Sequence, residues 1–254
     1  MNGSQSAFFR QERDFRTTDA DIATAIANLA RRLALFGGEL DLSVLHPAVD
    51  RIGVIQRDQP IWADRNHNDR IFALESGFAF AFSLYPDGRR HIGDIFAPGA
   101  ICNWSSVWGG MLVENVTFKA RSRVIVFDRE RLSDIVADNR PLREAIERHE
   151  MARCHRTQQR CRGLISLPAT DRLALALLDI QDELATGGEA EEWIGLPLTL
   201  RELGDFTGLT DVHVSRTLKK LQDTGFIEKR GKRLRLNAQP KMRAALDYQQ
   251  FYLG

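Results

Sequence analysis

Hydrophobic positions change their period along this chain, and each change marks a different kind of element. From Asp21 to Phe36, Ile22, Ile26, Leu29 and Leu33 recur at helical spacing, which predicts an amphipathic helix closed by Gly37-Gly38. From about Asp50 to Asp128 the texture turns to short apolar runs: Arg51–Ile55, Ile71–Leu74, Phe78–Leu84, His91–Phe96 and Val124–Phe127, with a turn at Pro86-Asp87-Gly88. Short strands with Gly, Pro and Asp punctuation predict a sandwich or barrel. Pro141–Leu167 then reads as one long helix and Leu167-Pro168 as a hinge. A further helix, capped by Thr170 or Asp171, runs to about Leu184 on Leu173, Leu177, Leu178 and Ile180. Thr186-Gly187-Gly188 ends it, a loop leads to Thr199, and a short helix is expected in the tail after Gln239.

The stretch from Thr199 to Asn237 has the sharpest pattern. Thr199 and Glu202 stand at the reciprocal spacing that opens a helix, Leu203 and Phe206 give it an apolar face, and Gly208 supplies a turn. Thr210 caps a second helix reaching about Asp223, with Val214, Leu218 and Leu221 inward. At about 100° per residue the opposite face carries Val212, His213, Ser215, Arg216, Lys219 and Lys220. That chemistry suits a major groove, where Arg grips guanine bidentately, Ser or His donates to base edges or phosphates, and an exposed Val meets a thymine methyl. A hairpin follows: Phe226 and Ile227 begin a strand, Arg230-Gly231-Lys232 turns it, and Leu234 and Leu236 alternate inward against Arg233 and Arg235.

Charge strengthens this picture. Between His213 and Arg235 eight Lys or Arg stand against Asp223 and Glu228, whereas the whole chain nets only +1, so the excess is local and faces phosphate. The remaining composition, 254 residues with 43% hydrophobic and 27% charged, is that of an ordinary globular chain of one or two domains. No apolar run approaches the ~18 residues of a membrane span. The N-terminal MNGSQSAFFRQERDF lacks a signal core, and a cytoplasmic location is expected.

Gly208-Leu209-Thr210, Val214-Ser215-Arg216-Thr217-Leu218 and Leu221 through Gly225-Phe226-Ile227 resemble the DNA-binding domain of the CRP–FNR family of bacterial transcription regulators. The resemblance makes Arg216 the guanine-contacting arginine and Ser215 a neighbouring base or backbone contact. Thr199 and Arg201 match positions that touch phosphate in relatives, and Thr210, His213, Lys219 and Lys232 complete the expected DNA face. Val212 departs from the pattern: many relatives carry an acidic residue there that accepts from cytosine, so a different half-site is implied. Glu75-Ser76-Gly77, Tyr85-Pro86-Asp87-Gly88-Arg89 and Ile95-Phe96-Ala97-Pro98-Gly99 are similar to the landmarks of the family's β-roll.

The implied fold class is α+β. Residues 1–45 form a helical extension, 46–140 a cupin-like, double-stranded β-roll sensor, 141–167 a dimerisation helix and 168–254 a winged helix-turn-helix domain, with the helix-turn-helix itself at 199–222. The resemblance further implies a homodimer on near-palindromic duplex DNA, RNA polymerase as protein partner, and control by a signal that the sequence does not name.

Two known sensor chemistries lack their residues. Cyclic-nucleotide binders use a Gly-Glu-Leu turn and an Arg-Ala or Arg-Ser step. Here the corresponding stretches read Ile101-Cys102-Asn103-Trp104-Ser105 and Val113-Glu114-Asn115-Val116, with Glu114 where the phosphate-binding arginine belongs, so cyclic AMP in the usual mode is not expected. Trp104 and Trp108, beside Gly109-Gly110, are expected in the core rather than lining a pocket. An iron–sulfur cluster needs four thiolates, and the chain has Cys102, Cys154 and Cys161 only. Haem is left open. His46, His67, His91, His149, His155 and His213 form no metal-ligand spacing, and no nucleotide-binding loop or nucleophile elbow is present, so no enzyme is expected.

Cys154 and Cys161, seven apart on the long helix, share one face at equivalent heptad positions. They read as small packing residues at a dimer seam, as redox-active thiols, or as metal or haem ligands with His155. Glu147, Glu150, Arg153, Arg156 and Arg160 make the helix polar, which predicts modest, switchable pairing. The competing reading of the whole chain is a ligand-binding roll whose helical head contacts a protein rather than DNA. Salt-dependent duplex binding separates the two.

Overall fold

The computed structural model describes residues 18–61, 69–104, 115–188 and 191–252. They group into two compact units, one made of residues 1–81 and 96–147, the other of residues 82–95 and 148–254.

The first unit opens with α1 (Asp19–Gly37). The Thr18 hydroxyl accepts from the Asp21 N–H while the Asp21 carboxylate accepts from the Thr18 N–H, satisfying two donors that a helix start leaves orphaned. A 3-10 helix (Leu42–Ala48) leads into β1 (Val49–Val54), β2 (Gln59–Ile61), β3 (Arg70–Ser76), β4 (Ala79–Leu84), β5 (Arg90–Phe96), β6 (Asn115–Phe118) and β7 (Arg123–Asp128). One antiparallel sheet runs β1-β7-β3 and a second runs β2-β6-β4-β5. Of these, the short strands β2 and β6 were not foreseen, nor was α2 (Arg129–Asp138), which is capped by Asp128.

Ile71-Phe72-Ala73-Leu74 and Val124-Ile125-Val126-Phe127 read as unbroken apolar runs because both faces of their sheet are covered. Ile71, Ala73, Ile125 and Phe127 meet Ile22, Ile26, Leu29 and Leu33 of α1. Phe72, Leu74, Val124 and Val126 meet Ile61, Phe96, Val116 and Phe118 instead. Gly99 marks where α1 lies against the chain: its φ is +81°, and a Cβ there would come within 2.3 Å of the Asn28 carbonyl oxygen.

Trp104 is buried in the α1 core, as expected of it. Its neighbour Asn103 is bound to β3, accepting from the Phe72 N–H at 2.8 Å and donating to the Arg70 carbonyl at 2.9 Å. Glu114 and Trp108 lie outside the described residues.

The second unit holds the end of the β4–β5 hairpin, most of α3 (Arg140–Ser166), α4 (Ala169–Thr186), β8 (Ile194–Gly195), α5 (Leu200–Thr207), α6 (Asp211–Asp223), β9 (Ile227–Arg230), β10 (Arg233–Leu236) and α7 (Gln239–Leu246). Helix α4 has no side-chain cap. Its N-cap is Pro168, so Thr170 and Asp171 sit inside the first turn instead of capping it. The cause is backbone preference: proline fixes the extended conformation that precedes a helix, and the carbonyl of Pro168 accepts from Asp171 and Arg172.

Ionic contacts fill the interior of this unit. Arg153 and Arg160 donate to opposite oxygens of Asp94 at 2.6 and 2.9 Å, and Arg160 and Arg156 likewise share Asp179 at 2.9 and 2.8 Å. Arg156 also reaches Glu183 and Tyr252. Burial pushes the Asp94 carboxyl up, but Arg153, Arg160 and Arg156 outweigh it and hold the group well below the usual carboxylate range.

Candidate nucleic-acid interface

Helix α5 starts as its sequence requires. The Thr199 N–H donates to Glu202 at 2.8 Å and the Glu202 N–H donates back to the Thr199 hydroxyl at 3.2 Å. Gly208 ends the helix in the left-handed conformation, with φ of 69°. Gly204 is the tighter constraint, since a Cβ there would stand 2.4 Å from the Leu209 carbonyl oxygen as the chain doubles back. The Thr210 hydroxyl then accepts from the His213 N–H at 3.2 Å and opens α6.

One side of α6 is fixed in the core by Val214, Leu218 and Leu221, with Thr217 buried between them. The other side presents Val212, His213, Ser215, Arg216, Lys219 and Lys220, all exposed, together with the capping Thr210. Val212 is 56% exposed, an unusual value for valine at the leading end of a polar helix. Val212, His213, Arg216 and Lys220 line an open groove of roughly 430 Å³ with Thr170 at the start of α4. The sequence reading placed Thr170 as a cap and missed this position. Thr199 and Arg201 are exposed at the start of α5.

The wing pairs β9 with β10 in register, Arg230 opposite Arg233 and Ile227 opposite Leu236. Its turn is shorter than expected: Gly231-Lys232 alone, with Gly231 at φ of 59° and Arg230 inside the strand. Leu234 and Leu236 point inward, while Lys232 and Arg233 are exposed. The segment expected as a loop before Thr199 contributes a third strand, β8, paired with β10.

The residues just before that strand, together with Glu228 on β9, supply neutralising partners. Arg235 donates to Glu192 and Glu228, Arg230 to Glu228, and Arg233 pairs with Glu191 at 3.1 Å. The hydrogen bond that Arg235 donates to Glu192 raises its guanidinium above the ordinary value, with Glu228 adding to it. Trp193 stacks under the guanidinium groups of Arg230 and Arg235, at 4.3 and 5.1 Å. The expected block of eight free cations is therefore divided. The wing arginines are tied to acids and an indole, whereas Arg216, Lys219, Lys220, Lys229 and Lys232 form no ion pair with another described residue.

The long helix presents a different face. Cys154 and Cys161 are free, exposed thiols, and Met151, Gln158 and Ile165 on the same stripe are exposed too, whereas Cys102 is buried. Arg153, Arg156 and Arg160 turn the other way, into the ionic cluster. No helix among the described residues is long and apolar enough to cross a membrane.

Comparison with known proteins bears on this geometry. Residues 171–245 match the Crp-like helix-turn-helix domain family. The chain is 23% identical over 199 residues to the regulatory protein HlyX of Actinobacillus pleuropneumoniae, covering 78% of this chain and 83% of that protein. It is also 23% identical to the transcriptional activator protein FnrA of Stutzerimonas stutzeri over 196 residues, 77% of this chain and 80% of the relative. Among solved structures, FixK2 from Bradyrhizobium japonicum shares the fold with a TM-score of 0.67 at 20% identity, covering 76% of this chain and 96% of that one.

Proposed function

We propose that the chain is a DNA-binding transcription regulator of the CRP–FNR type, a reading supported by the helix-turn-helix match over residues 171–245 and by the relatives above, and that it binds a near-palindromic operator as a homodimer through α6 and the wing. Arg216 reads a guanine, Ser215 contacts a neighbouring base or the backbone, and Val212 packs on a thymine methyl. Thr199, Arg201, Thr210, His213, Lys219 and Lys232 hold the phosphates, with His213 also within reach of base edges. Residues 46–140 receive the controlling signal, residues 141–167 pair the protomers, and residues 168–254 bind DNA in the cytoplasm, in contact with RNA polymerase.

The observation that carries this reading is the exposed face of α6. A helix capped at Thr210 and anchored by Val214 and Leu221 presents a base-reading set toward solvent, free of internal ion pairs among the described residues. Selection of sites from random duplex DNA, followed by anisotropy titration, tests it. Arg216→Ala should lose ~1–3 kcal/mol on the selected site and relax preference at one base pair, while Lys219→Ala and Lys232→Ala weaken all sequences alike and reduce the salt slope by about one. Unchanged affinity and selectivity in Arg216→Ala would remove α6 as the reading helix. If duplex binding is absent at every salt concentration, the head contacts a protein.

A further inference from the structure

Within the second unit, α3 exposes Met151, Cys154, Gln158, Cys161 and Ile165 while Ala152, Arg156, Gln159, Arg160 and Gly163 are buried beside them. The exposed set steps by three and four residues in alternation, the spacing of a coiled-coil seam, with Met151, Gln158 and Ile165 at a positions and the cysteines at d. Ile165 is 86% exposed and Met151 57%, apolar surface left open among the described residues. A second copy of the same stripe complements it layer for layer, and the polar Gln158 midway fixes the register, since a polar group at a single a position is satisfied by its own copy.

We propose that Cys154 and Cys161 are a stacked pair of thiol layers in this seam, each closing an interchain disulfide with its own counterpart when a low-molecular-weight disulfide is the oxidant. The proposal rests on the homodimer reading above. Packed helices run ~8–10 Å apart with Cα atoms about 2.3 Å from each axis. Facing Cα atoms at the wider separation therefore lie about 5 Å apart, inside the ~4.4–6.8 Å that a disulfide spans. The two layers stand about 10 Å apart along the helix, too far for one bond to preclude the other. Both thiols are exposed, and the Gln158 amide donates to the Cys154 sulfur at 3.9 Å.

The step balances as two exchanges. A cysteine thiolate of one protomer attacks the small disulfide and expels one thiolate, leaving a mixed disulfide. The counterpart thiolate of the second protomer then attacks the protein sulfur and expels the second thiolate. Two protein thiols lose two electrons and two protons, and the small disulfide is reduced to two thiols. Excess small thiol runs the sequence backwards. Cys161 lies just before the end of α3 at Ser166, so its bond ties the two chains together beside the hinge that leads into α4.

The test uses the full chain in a Cys102→Ser background, with Cys154→Ser, Cys161→Ser and the double variant, treated with oxidised glutathione. Non-reducing gels, peptide mass mapping and sedimentation of the reduced protein are read together, with thermal melting as the check that each variant folds. The expected result is a covalent dimer in the parent, linked Cys154-to-Cys154 and Cys161-to-Cys161. Each single variant should keep one link, the double variant should have none, and dithiothreitol should reverse them all. A reduced dimer that yields only glutathione adducts would overturn the thiol pairing and leave the dimer standing. Cys154-to-Cys161 links would overturn the parallel register. A reduced monomer that never cross-links would overturn the seam itself, and with it the homodimer reading.

Discussion

On the proposed reading, Val212 is the residue that sets this protein's DNA preference apart. It is exposed on a face otherwise built of hydroxyl, imidazole, guanidinium and ammonium groups, and it lines the same groove as Arg216. An apolar side chain there gains by covering a thymine methyl, whereas a carboxylate would accept from the amino group of cytosine. Val212→Glu should therefore move the preferred base at one position of each half-site from thymine to cytosine, a change of ~1–3 kcal/mol in discrimination. Competition titrations with single-base operator variants measure it, and an unaltered preference would show that Val212 does not meet a base. The caps around this helix were legible from sequence because Thr199 with Glu202, and Thr210 with His213, are each three residues apart. The wing charges were not. Arg235 finds Glu192 at a separation of 43 residues, so only the fold reveals that part of the basic excess is neutralised.

Helix α3 has two chemically opposed faces, and its composition disguised both. Arg153, Arg156 and Arg160 suggested a solvated helix that pairs weakly, yet they are turned into the second unit against Asp94, Asp179 and Glu183. The solvent side is the one with Met151 and Ile165. Periodicity of apolar residues could not separate the faces, because buried arginines count as polar in any such pattern. Asp94 is the keystone, since its two oxygens take Arg153 and Arg160 separately. Asp94→Asn removes one counter-charge shared by two buried guanidinium groups, leaving Arg160 with Asp179 and Arg153 with Glu150, and should cost about 3 kcal/mol. The sign of the pH effect follows from the depressed carboxyl. Its contribution is fully present above the unfolded value of about 4 and is lost as pH falls below that toward the folded value. Melting temperatures recorded from pH 6 down to pH 2 should therefore drop more steeply for the parent than for Asp94→Asn. Parallel slopes would show that the Asp94 pairs contribute little.

At the scale of the whole molecule, the proposed homodimer joins two heads through α3, and the exposed stripe is the place to test that join without harming either protomer. Ile165 contacts so little of its own chain that Ile165→Asp should leave the melting temperature nearly unchanged. In a dimer, the same substitution sets two carboxylates in one apolar layer close to the hinge, which disfavours association strongly. Sedimentation should then show monomers at concentrations where the parent is dimeric. Operator binding should weaken to the affinity of a single half-site, because each monomer now contacts the DNA alone. A duplex carrying two half-sites moved apart by half a helical turn is the companion probe. The parent should lose most of its affinity there, since its heads are fixed on one face, one helical turn (~34 Å) apart. The Ile165→Asp monomers, each reading a half-site independently, should bind the two duplexes alike. Equal losses for both proteins would place the join elsewhere than α3.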